Sequence, residues 1–224
     1  MLAIINEADW PIWPLLATSI LGLALIVERA LALRRSRVMP RGLQHQVLDM
    51  LRNRQDAPEA LARLEAGSPF GRVLADVIRL RHLPREELRA MVEDTGRSVA
   101  HQLNRYLPAL GTVAVVAPLM GLFGTVVGMI EIFSSYTPAG GDPAQLARGI
   151  SIALYNTAFG ILIAIPALIF HRHFRSRVET YLHEMEYAAT RLLRVLAAAG
   201  PGRRPEPGLD TAAAARAEPR WSEQ

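Results

Sequence analysis

Polar side chains are rare in the two longest apolar stretches of this sequence, and three of them could take part in chemistry. Thr125 lies in the stretch 107–130, and Asn156 and Thr157 lie in the stretch 150–170. A threonine hydroxyl can bond its own helix backbone, but an asparagine amide in apolar surroundings needs a partner from another helix or from water. These three groups together favour a narrow, partly hydrated pore or passage.

Titratable groups are missing from the middle of both stretches, which contain no Asp, Glu or His there. Hydroxyls and amides can orient water, but they cannot hold a proton near neutral pH. If protons pass along these residues, the titratable group must therefore come from elsewhere. Glu131, at the end of the first stretch, is a candidate carboxylate for the vestibule of such a passage. An ordinary solvated side chain is the alternative interpretation of Glu131.

Residue types also exclude most enzymatic chemistry. The chain has no cysteine and no lysine, because all 25 of its Lys and Arg residues are arginine. Thiol catalysis, cysteine metal sites, disulfides, Schiff-base lysines and a P-loop are therefore excluded. The histidines lack ligand spacing, and Ser151 has no histidine near it in its own stretch. We expect no enzymatic activity, no bound metal and no cofactor.

Three apolar stretches must position these residues, at 12–33, 107–130 and 150–170. A helix needs roughly 20 apolar residues to cross a hydrocarbon core about 30 Å thick. The second and third stretches reach that length without a charge, and the first has Glu28 and Arg29 near its end. The first also lacks the basic start of a cleaved signal peptide, so we expect it to be retained. The sequence therefore predicts an all-α integral membrane protein with three transmembrane helices.

The distribution of arginine predicts how these helices are oriented. The segment 34–106 holds fourteen arginines and the segment 171–224 holds nine, whereas the connection 131–149 holds one and the N-terminus holds none. Positively charged flanks remain in the cytoplasm. We therefore expect the N-terminus and the connection on the outer side, and the C-terminus in the cytoplasm.

The chain accordingly divides into seven segments. They are an outer N-terminus with the first transmembrane helix (1–33), a cytoplasmic helical domain (34–106), the second transmembrane helix (107–135), a short outer loop (136–148), the third transmembrane helix (149–171), a cytoplasmic helix (172–196) and a disordered tail (197–224). A bilayer is thus one expected partner, and no nucleic acid is expected.

Helical patterns continue beyond the apolar stretches. Ser68-Pro69 and Leu83-Pro84 predict helix starts, since proline is tolerated in the first turn. Apolar residues recur at helical spacing from Leu88 to Tyr106, directly into the second span, which predicts long helices extending into the cytoplasm. A short heptad pattern follows the third span at 178–196. Packing within one subunit and packing against a neighbouring subunit are equally open for that pattern.

Small residues occupy one face of each charge-free span. They are Ala117, Gly121, Gly124 and Gly128 in the second, and Gly149, Ala153, Gly160 and Ala164 in the third. In a membrane, small residues let helices approach closely, so helix packing explains these faces, and a pore face is the alternative. Pro118 and Pro166 would each free a backbone carbonyl inside a span and permit a kink.

Both faces lie in stretches that resemble the signatures of one family. Residues 117–130, APLMGLFGTVVGMI, resemble the second-span signature of the MotA/TolQ/ExbB proton channel family. Residues 149–160, GISIALYNTAFG, followed by AIPA at 164–167, resemble the third-span signature. The Trp13-Pro14-Leu15 start and the Glu28-Arg29 end of the first span are similar to the short form of ExbB. The resemblance extends from residue 10 to about residue 175.

The resemblance implies a pore subunit of a motor in the bacterial inner membrane, with a periplasmic N-terminus. Family members form homo-oligomeric rings, pentameric in well-understood cases. The pore holds the single span of an ExbD/TolR-like partner, which supplies a membrane aspartate. In ExbB systems, proton flow there energises transport across the outer membrane through a TonB-like protein. Threonines matching Thr125 and Thr157 line the proton path in the family.

One position departs from the family pattern. Ile152 stands where many ExbB and TolQ proteins have a glutamate in the third span. This departure favours a carboxylate that comes from the partner. It also keeps two alternatives to an ExbB role open, namely a TolQ-type or related motor for envelope integrity or gliding, and a non-conducting membrane scaffold.

Overall fold

The computed structural model describes residues 10–53, 57–135 and 143–199, and eight helices occur within these ranges. They are α1 (Ile12–Ala32), α2 (Arg35–Val38), α3 (Leu43–Arg52), α4 (Pro58–Gly67), α5 (Pro69–Arg79), α6 (Arg85–Asn104), α7 (Leu107–Ser135) and α8 (Pro143–Ala199). No strand occurs in the described ranges, and the predicted all-α fold is confirmed. Most of the predicted outer loop and of the predicted tail lies outside these ranges.

Three helical stretches are long and apolar enough to cross a bilayer: Ile12–Ala32, Glu86–Ser134 and Leu146–Leu196. The prediction of three membrane-length helices is therefore confirmed. Only 17% to 28% of the most apolar part of each stretch is buried inside the chain. Because so much apolar surface is left uncovered, lipid or other protein must cover it in the native setting.

The helices α1, α7 and α8 form the membrane-length bundle. The long helices α7 and α8 pack side by side in opposite directions, and α1 contacts both of them. Gly22 of α1 lies against Val113 of α7, where an added Cβ would be 3.2 Å from the valine Cγ1. The 57 residues of α8 give it a length of about 85 Å. It therefore continues well past its apolar stretch.

The short helix α5 forms the centre of the remaining helices. Its apolar residues recur at steps of three and four on one buried face, and they are Phe70, Val73, Leu74, Val77 and Ile78. This face packs against α4, α6 and α8. The hydroxyl of Ser68 accepts a hydrogen bond from the Gly71 amide at 3.0 Å, which caps the helix that Pro69 begins. The predicted helix start at Ser68-Pro69 is thus confirmed.

A two-residue break separates α6 from α7, whereas the apolar pattern predicted a helix running directly into the second span. The helix α6 ends at Asn104, and α7 begins at Leu107. Between them, Tyr106 has φ 64°, in the left-handed region that residues other than glycine rarely adopt. The residue pattern is periodic across the break, but the helical backbone conformation is interrupted there.

A buried arginine of α1 lies beside this break. Arg29 is only 5% exposed, and its Nη1 donates a hydrogen bond to the Leu103 carbonyl at 3.2 Å. Its Nε and Nη2 donate to the neighbouring Glu28 carboxylate at 2.5 and 2.6 Å. The hydroxyl of Tyr181 in α8 donates to the Leu33 carbonyl at 3.1 Å. The end of α1 is therefore hydrogen-bonded to α6 and to α8.

Candidate functional site: the interface of α7 and α8

The small-residue faces of α7 and α8 lie against each other within one chain. A Cβ added to Gly121 would be 2.7 Å from the Asn156 carbonyl oxygen. A Cβ added to Gly160 would be 2.5 Å from the Ala117 carbonyl oxygen. Contacts this short with backbone atoms do not occur in proteins, so only glycine permits this approach. The centre of the interface is packed backbone against backbone.

The same interface continues toward the end of α7. A Cβ on Gly128 would be 3.4 Å from the Cβ of Ala153, an ordinary contact. A Cβ on Gly149 would be 2.5 Å from the Ile132 side chain. Ala164, the last of the predicted small residues, is also buried. The other predicted small residues are thus gathered at one interface inside the subunit.

Asn156 lies inside this interface. It is 3% exposed, and its side chain occupies the space beside Gly124, where an added Cβ would be 3.0 Å from the amide nitrogen. Its Oδ1 is buried and has no hydrogen-bond partner among the described residues. Leaving such an acceptor unpaired costs about 1–3 kcal/mol. Asn156, which the sequence predicts to line a partly hydrated pore or passage, lies between two helices of one chain, on the same face as Ala153 and Gly160.

Thr125 and Thr157 flank this interface and are half-buried. The Thr125 hydroxyl donates to the Leu122 carbonyl at 2.6 Å, which leaves its oxygen lone pairs free to accept a hydrogen bond. The Cα of Thr157 would be 3.0 Å from a Cβ on Gly121, at the tightest part of the interface. Of the three predicted polar residues, the two threonines reach the surface of the chain and Asn156 does not.

The remaining predicted residues lie on the same two helices. Pro118 and Pro166 are inside continuous helices, and each removes one amide donor from the helix. Glu131 is exposed near the end of α7, two turns beyond Gly124. It therefore lies beyond the most tightly packed part of the interface.

One buried polar group was missed by the sequence-based prediction. The pair Glu28-Arg29 was interpreted only as the end of the first span, yet Arg29 is buried and bonded to a carbonyl of α6. The available signal was its position, since a charged residue inside a membrane-length apolar stretch is costly unless it has a partner. The identity of that partner, the Leu103 carbonyl, depends on the fold.

The chemistry of the interface follows from its residue types. Its polar side chains are two hydroxyls and one amide, which can orient water or accept and donate hydrogen bonds. None of these three groups titrates near neutral pH. The interface can therefore guide a proton carried by water or by another molecule, but these side chains cannot store one.

More than half of the chain matches a known protein family. Residues 65–187, which include α5, α6, α7 and most of α8, match the MotA/TolQ/ExbB proton channel family. This chain belongs to that family. The family predicted from the two span signatures is therefore confirmed. Its three membrane-length helices make this MotA/TolQ/ExbB protein a membrane protein. The family is a channel and transport family, not an enzyme family.

Relatives of this MotA/TolQ/ExbB protein have both ExbB and TolQ names. The ExbB-like 3 protein of Synechocystis sp. is 32% identical over 168 residues, which cover 73% of this chain and 79% of the relative. The biopolymer transport protein exbB1 of Vibrio cholerae is 32% identical, covering 70% and 71%. The Tol-Pal system protein TolQ of Pseudomonas aeruginosa is 37% identical over 109 residues, covering 45% and 47%.

Proposed function

We propose that this chain is the pore subunit of an ExbB-like motor that is driven by the proton-motive force in the bacterial inner membrane. Several copies form a ring, pentameric by analogy with the family, around an ExbD/TolR-like partner. The motor energises TonB-dependent transport across the outer membrane. The observation that carries this proposal is the α7–α8 interface, which has threonines at its margins and no carboxylate in its centre, in a member of a proton channel family.

The missing carboxylate supports a requirement for the partner. Proton transfer needs a group that can exchange a proton close to the path. Thr125 and Thr157 cannot do so near neutral pH, but they can align water with a carboxylate that enters from outside. An aspartate on the single span of the partner supplies that group. Glu131, exposed near the end of α7, is proposed as a carboxylate of the outer vestibule.

Exposed apolar residues support assembly into a ring. Leu119 of α7 is 58% exposed, and Leu154 and Leu162 of α8 are 63% and 65% exposed. These side chains lie outside the interface that joins the two helices within one chain. Lipid covers part of this surface, and neighbouring copies and the partner's span cover the rest.

A TolQ-type motor is the second candidate. The observation that favours it is the similarity to TolQ of Pseudomonas aeruginosa, 37% over the shared region. The two candidates differ in the system that the motor serves. Deletion of the gene should abolish TonB-dependent uptake if the ExbB role is correct. It should instead make the envelope leaky and sensitive to detergent if the TolQ role is correct.

Thr157→Ala tests the proton path. In proteoliposomes that contain the complex with its single-span partner, we expect proton flux to fall at least about tenfold, because water loses a hydroxyl that orients it. Native mass spectrometry should show an intact ring. Thr112→Ala is the matched control, because the Thr112 hydroxyl is exposed and bonds the Pro108 carbonyl of its own helix at 3.0 Å. Full flux in Thr157→Ala would remove Thr157 from the path.

A second comparison tests the borrowed carboxylate. The chain reconstituted without its partner should conduct protons no faster than protein-free liposomes. Conduction at the full rate by the chain alone would contradict the proposal, because the titratable group would then belong to this chain.

A further inference from the structure

A cavity of about 390 Å³ lies where the segment that joins α2 to α3 passes α8. This volume is within the usual range of small-molecule sites in proteins, about 300–1,000 Å³. The cavity wall combines cationic side chains with aromatic rings. We propose that this cavity binds a soluble nucleotide, with the phosphate at the cationic side chains and the base on an exposed tyrosine ring.

Arg41 is the arginine of the cavity wall that is available to a ligand. It is exposed, and it makes no ion pair or hydrogen bond with the described residues. Arg35, the other arginine of the wall, is already bonded to Glu184 at 2.7 Å, so the charge of this carboxylate is compensated. His45 lines the same cavity, and its ring N–H can donate a hydrogen bond. Since arginine can bind phosphate through two parallel hydrogen bonds, Arg41 and His45 together suit a phosphate group.

The aromatic part of the wall suits a flat ring. Tyr187 of α8 lines the cavity and is 74% exposed, so its ring is accessible to a stacked group. Phe70 of α5 forms a buried part of the wall and is 4% exposed. Bases of nucleic acids stack favourably on aromatic side chains, whichever base is present. A nucleotide supplies both the base and the phosphate, whereas inorganic phosphate or a nucleoside supplies only one of them.

The position of the cavity along α8 favours a soluble ligand over the headgroup of a bilayer lipid. Phe170 ends the apolar stretch of this continuous helix, and Glu184, at the cavity, lies 14 residues further along. At 1.5 Å per residue, the cavity is about 21 Å beyond the apolar stretch. The polar layer of a bilayer is only about 5–8 Å thick on each side. The ligand therefore comes from the aqueous phase on the side predicted to be cytoplasmic.

Binding at this cavity is independent of the proposed motor function. The residues that line it lie in α2, α3, α5, the connection between α2 and α3, and the part of α8 beyond its apolar stretch. None of them belongs to the α7–α8 interface within the membrane-length bundle. A nucleotide that binds only the folded chain would also raise the midpoint of thermal unfolding.

Calorimetric titration of the purified full-length chain in detergent tests the proposal with AMP, adenosine and inorganic phosphate as probes. At about 0.15 M salt, where long-range attraction between exposed charges is screened, AMP should bind saturably. Adenosine and inorganic phosphate should each bind at least about tenfold more weakly, because each lacks part of the contacts. The proposal is wrong if AMP does not bind at millimolar concentration, or if one of the smaller probes binds as tightly as AMP.

Arg41→Gln and Tyr187→Ala locate the site. Each should weaken AMP binding at least about tenfold, through loss of the phosphate contact and of the stacking ring respectively. Tyr187→Phe retains an aromatic ring and should bind AMP as the parent does. Arg89→Gln is the matched control for charge, because Arg89 is exposed on α6 and does not line the cavity. An equal loss in Arg41→Gln and Arg89→Gln would overturn the proposal, because AMP would then respond to net charge alone.

Nanodiscs of two compositions separate a soluble nucleotide from a lipid as the source of the phosphate. The affinity for AMP should be the same in discs of phosphatidylcholine and in discs that also contain phosphatidylglycerol. Loss of AMP binding in the second set would mean that an anionic lipid occupies the cavity, which contradicts a soluble ligand.

Discussion

Tyr106 shows how contacts of one side chain can offset an unfavourable backbone conformation. Its left-handed backbone conformation is disfavoured by about 1–2 kcal/mol for a residue with a Cβ. Two guanidinium groups lie over its ring, with the Cζ atoms of Arg29 and Arg105 at 5.2 and 4.8 Å from the ring centre. Cation–π contacts of this kind contribute about 0.5–1 kcal/mol each at exposed sites and more when desolvated. The two contacts therefore offset the backbone strain at the break.

Tyr106→Gly and Tyr106→Ala separate the strain from the ring contacts. Both variants lose the ring, but only alanine retains the cost of the left-handed conformation. We expect the glycine variant to be more stable than the alanine variant by about 1 kcal/mol, measured by thermal unfolding in detergent. The same pair at Tyr187, which is exposed within α8, should show the opposite order, because alanine favours a helix. Greater stability of Tyr106→Ala would show that the backbone does not adopt this conformation.

At the level of elements, the close packing of α7 against α8 depends on glycines, because a Cβ at these positions would overlap the opposite helix. A Cβ at Gly160 would be 2.5 Å from the Ala117 carbonyl oxygen and 3.1 Å from the Gly121 Cα. Both neighbours are backbone atoms, so they cannot rotate away as a flexible side chain would. The two helices would have to move apart, and this movement would loosen the polar interface around Asn156.

Gly160→Ala is therefore expected to destabilise the bundle by about 1–3 kcal/mol, the usual cost of overpacking. Gly96→Ala is the matched control, because a Cβ at Gly96 of α6 has no neighbour within 4 Å. That change should stabilise the chain by up to about 1 kcal/mol through helix propensity. The midpoints of thermal unfolding in detergent measure both effects. A Gly160→Ala protein as stable as the parent would contradict the close approach of the two helices.

At the level of the whole molecule, the arginine distribution and the apolar surface predict one orientation in the bilayer. Arginine is concentrated in the segments on one predicted side of the membrane and nearly absent from those on the other. Apolar side chains remain exposed around the bundle. The absence of cysteine makes this orientation simple to measure, since one introduced thiol gives an unambiguous label.

Ser134→Cys and Ser176→Cys test the orientation. Both serines are exposed, with Ser134 near the end of α7 and Ser176 in α8 beyond its apolar stretch. In cells with a permeabilised outer membrane and an intact inner membrane, a membrane-impermeant maleimide should label Ser134→Cys. It should label Ser176→Cys only after the inner membrane is opened. The reverse pattern would overturn the predicted periplasmic N-terminus and cytoplasmic C-terminus.

Properties that depend on local composition and periodicity could be predicted from the sequence. The three membrane-length helices follow from apolar length, the start of α5 follows from Ser68-Pro69, and the family follows from two contiguous signatures. Helical spacing also identified which small residues share a face on α7 and on α8. Each of these features depends on residues within a few turns of one another, so that a linear pattern contains enough information to predict it.

Which helix surfaces meet could be seen only in the folded chain. Spacing places Asn156 on a face with Ala153 and Gly160, but it cannot tell whether that face lines a pore or packs against α7. Likewise, Arg29 bonds the Leu103 carbonyl and lies over the ring of Tyr106 at the break, although Arg29 is far from both residues in the sequence. The physical reason is that the packing partner of a helix face is chosen by the shape of every helix around it, which no single stretch of sequence specifies.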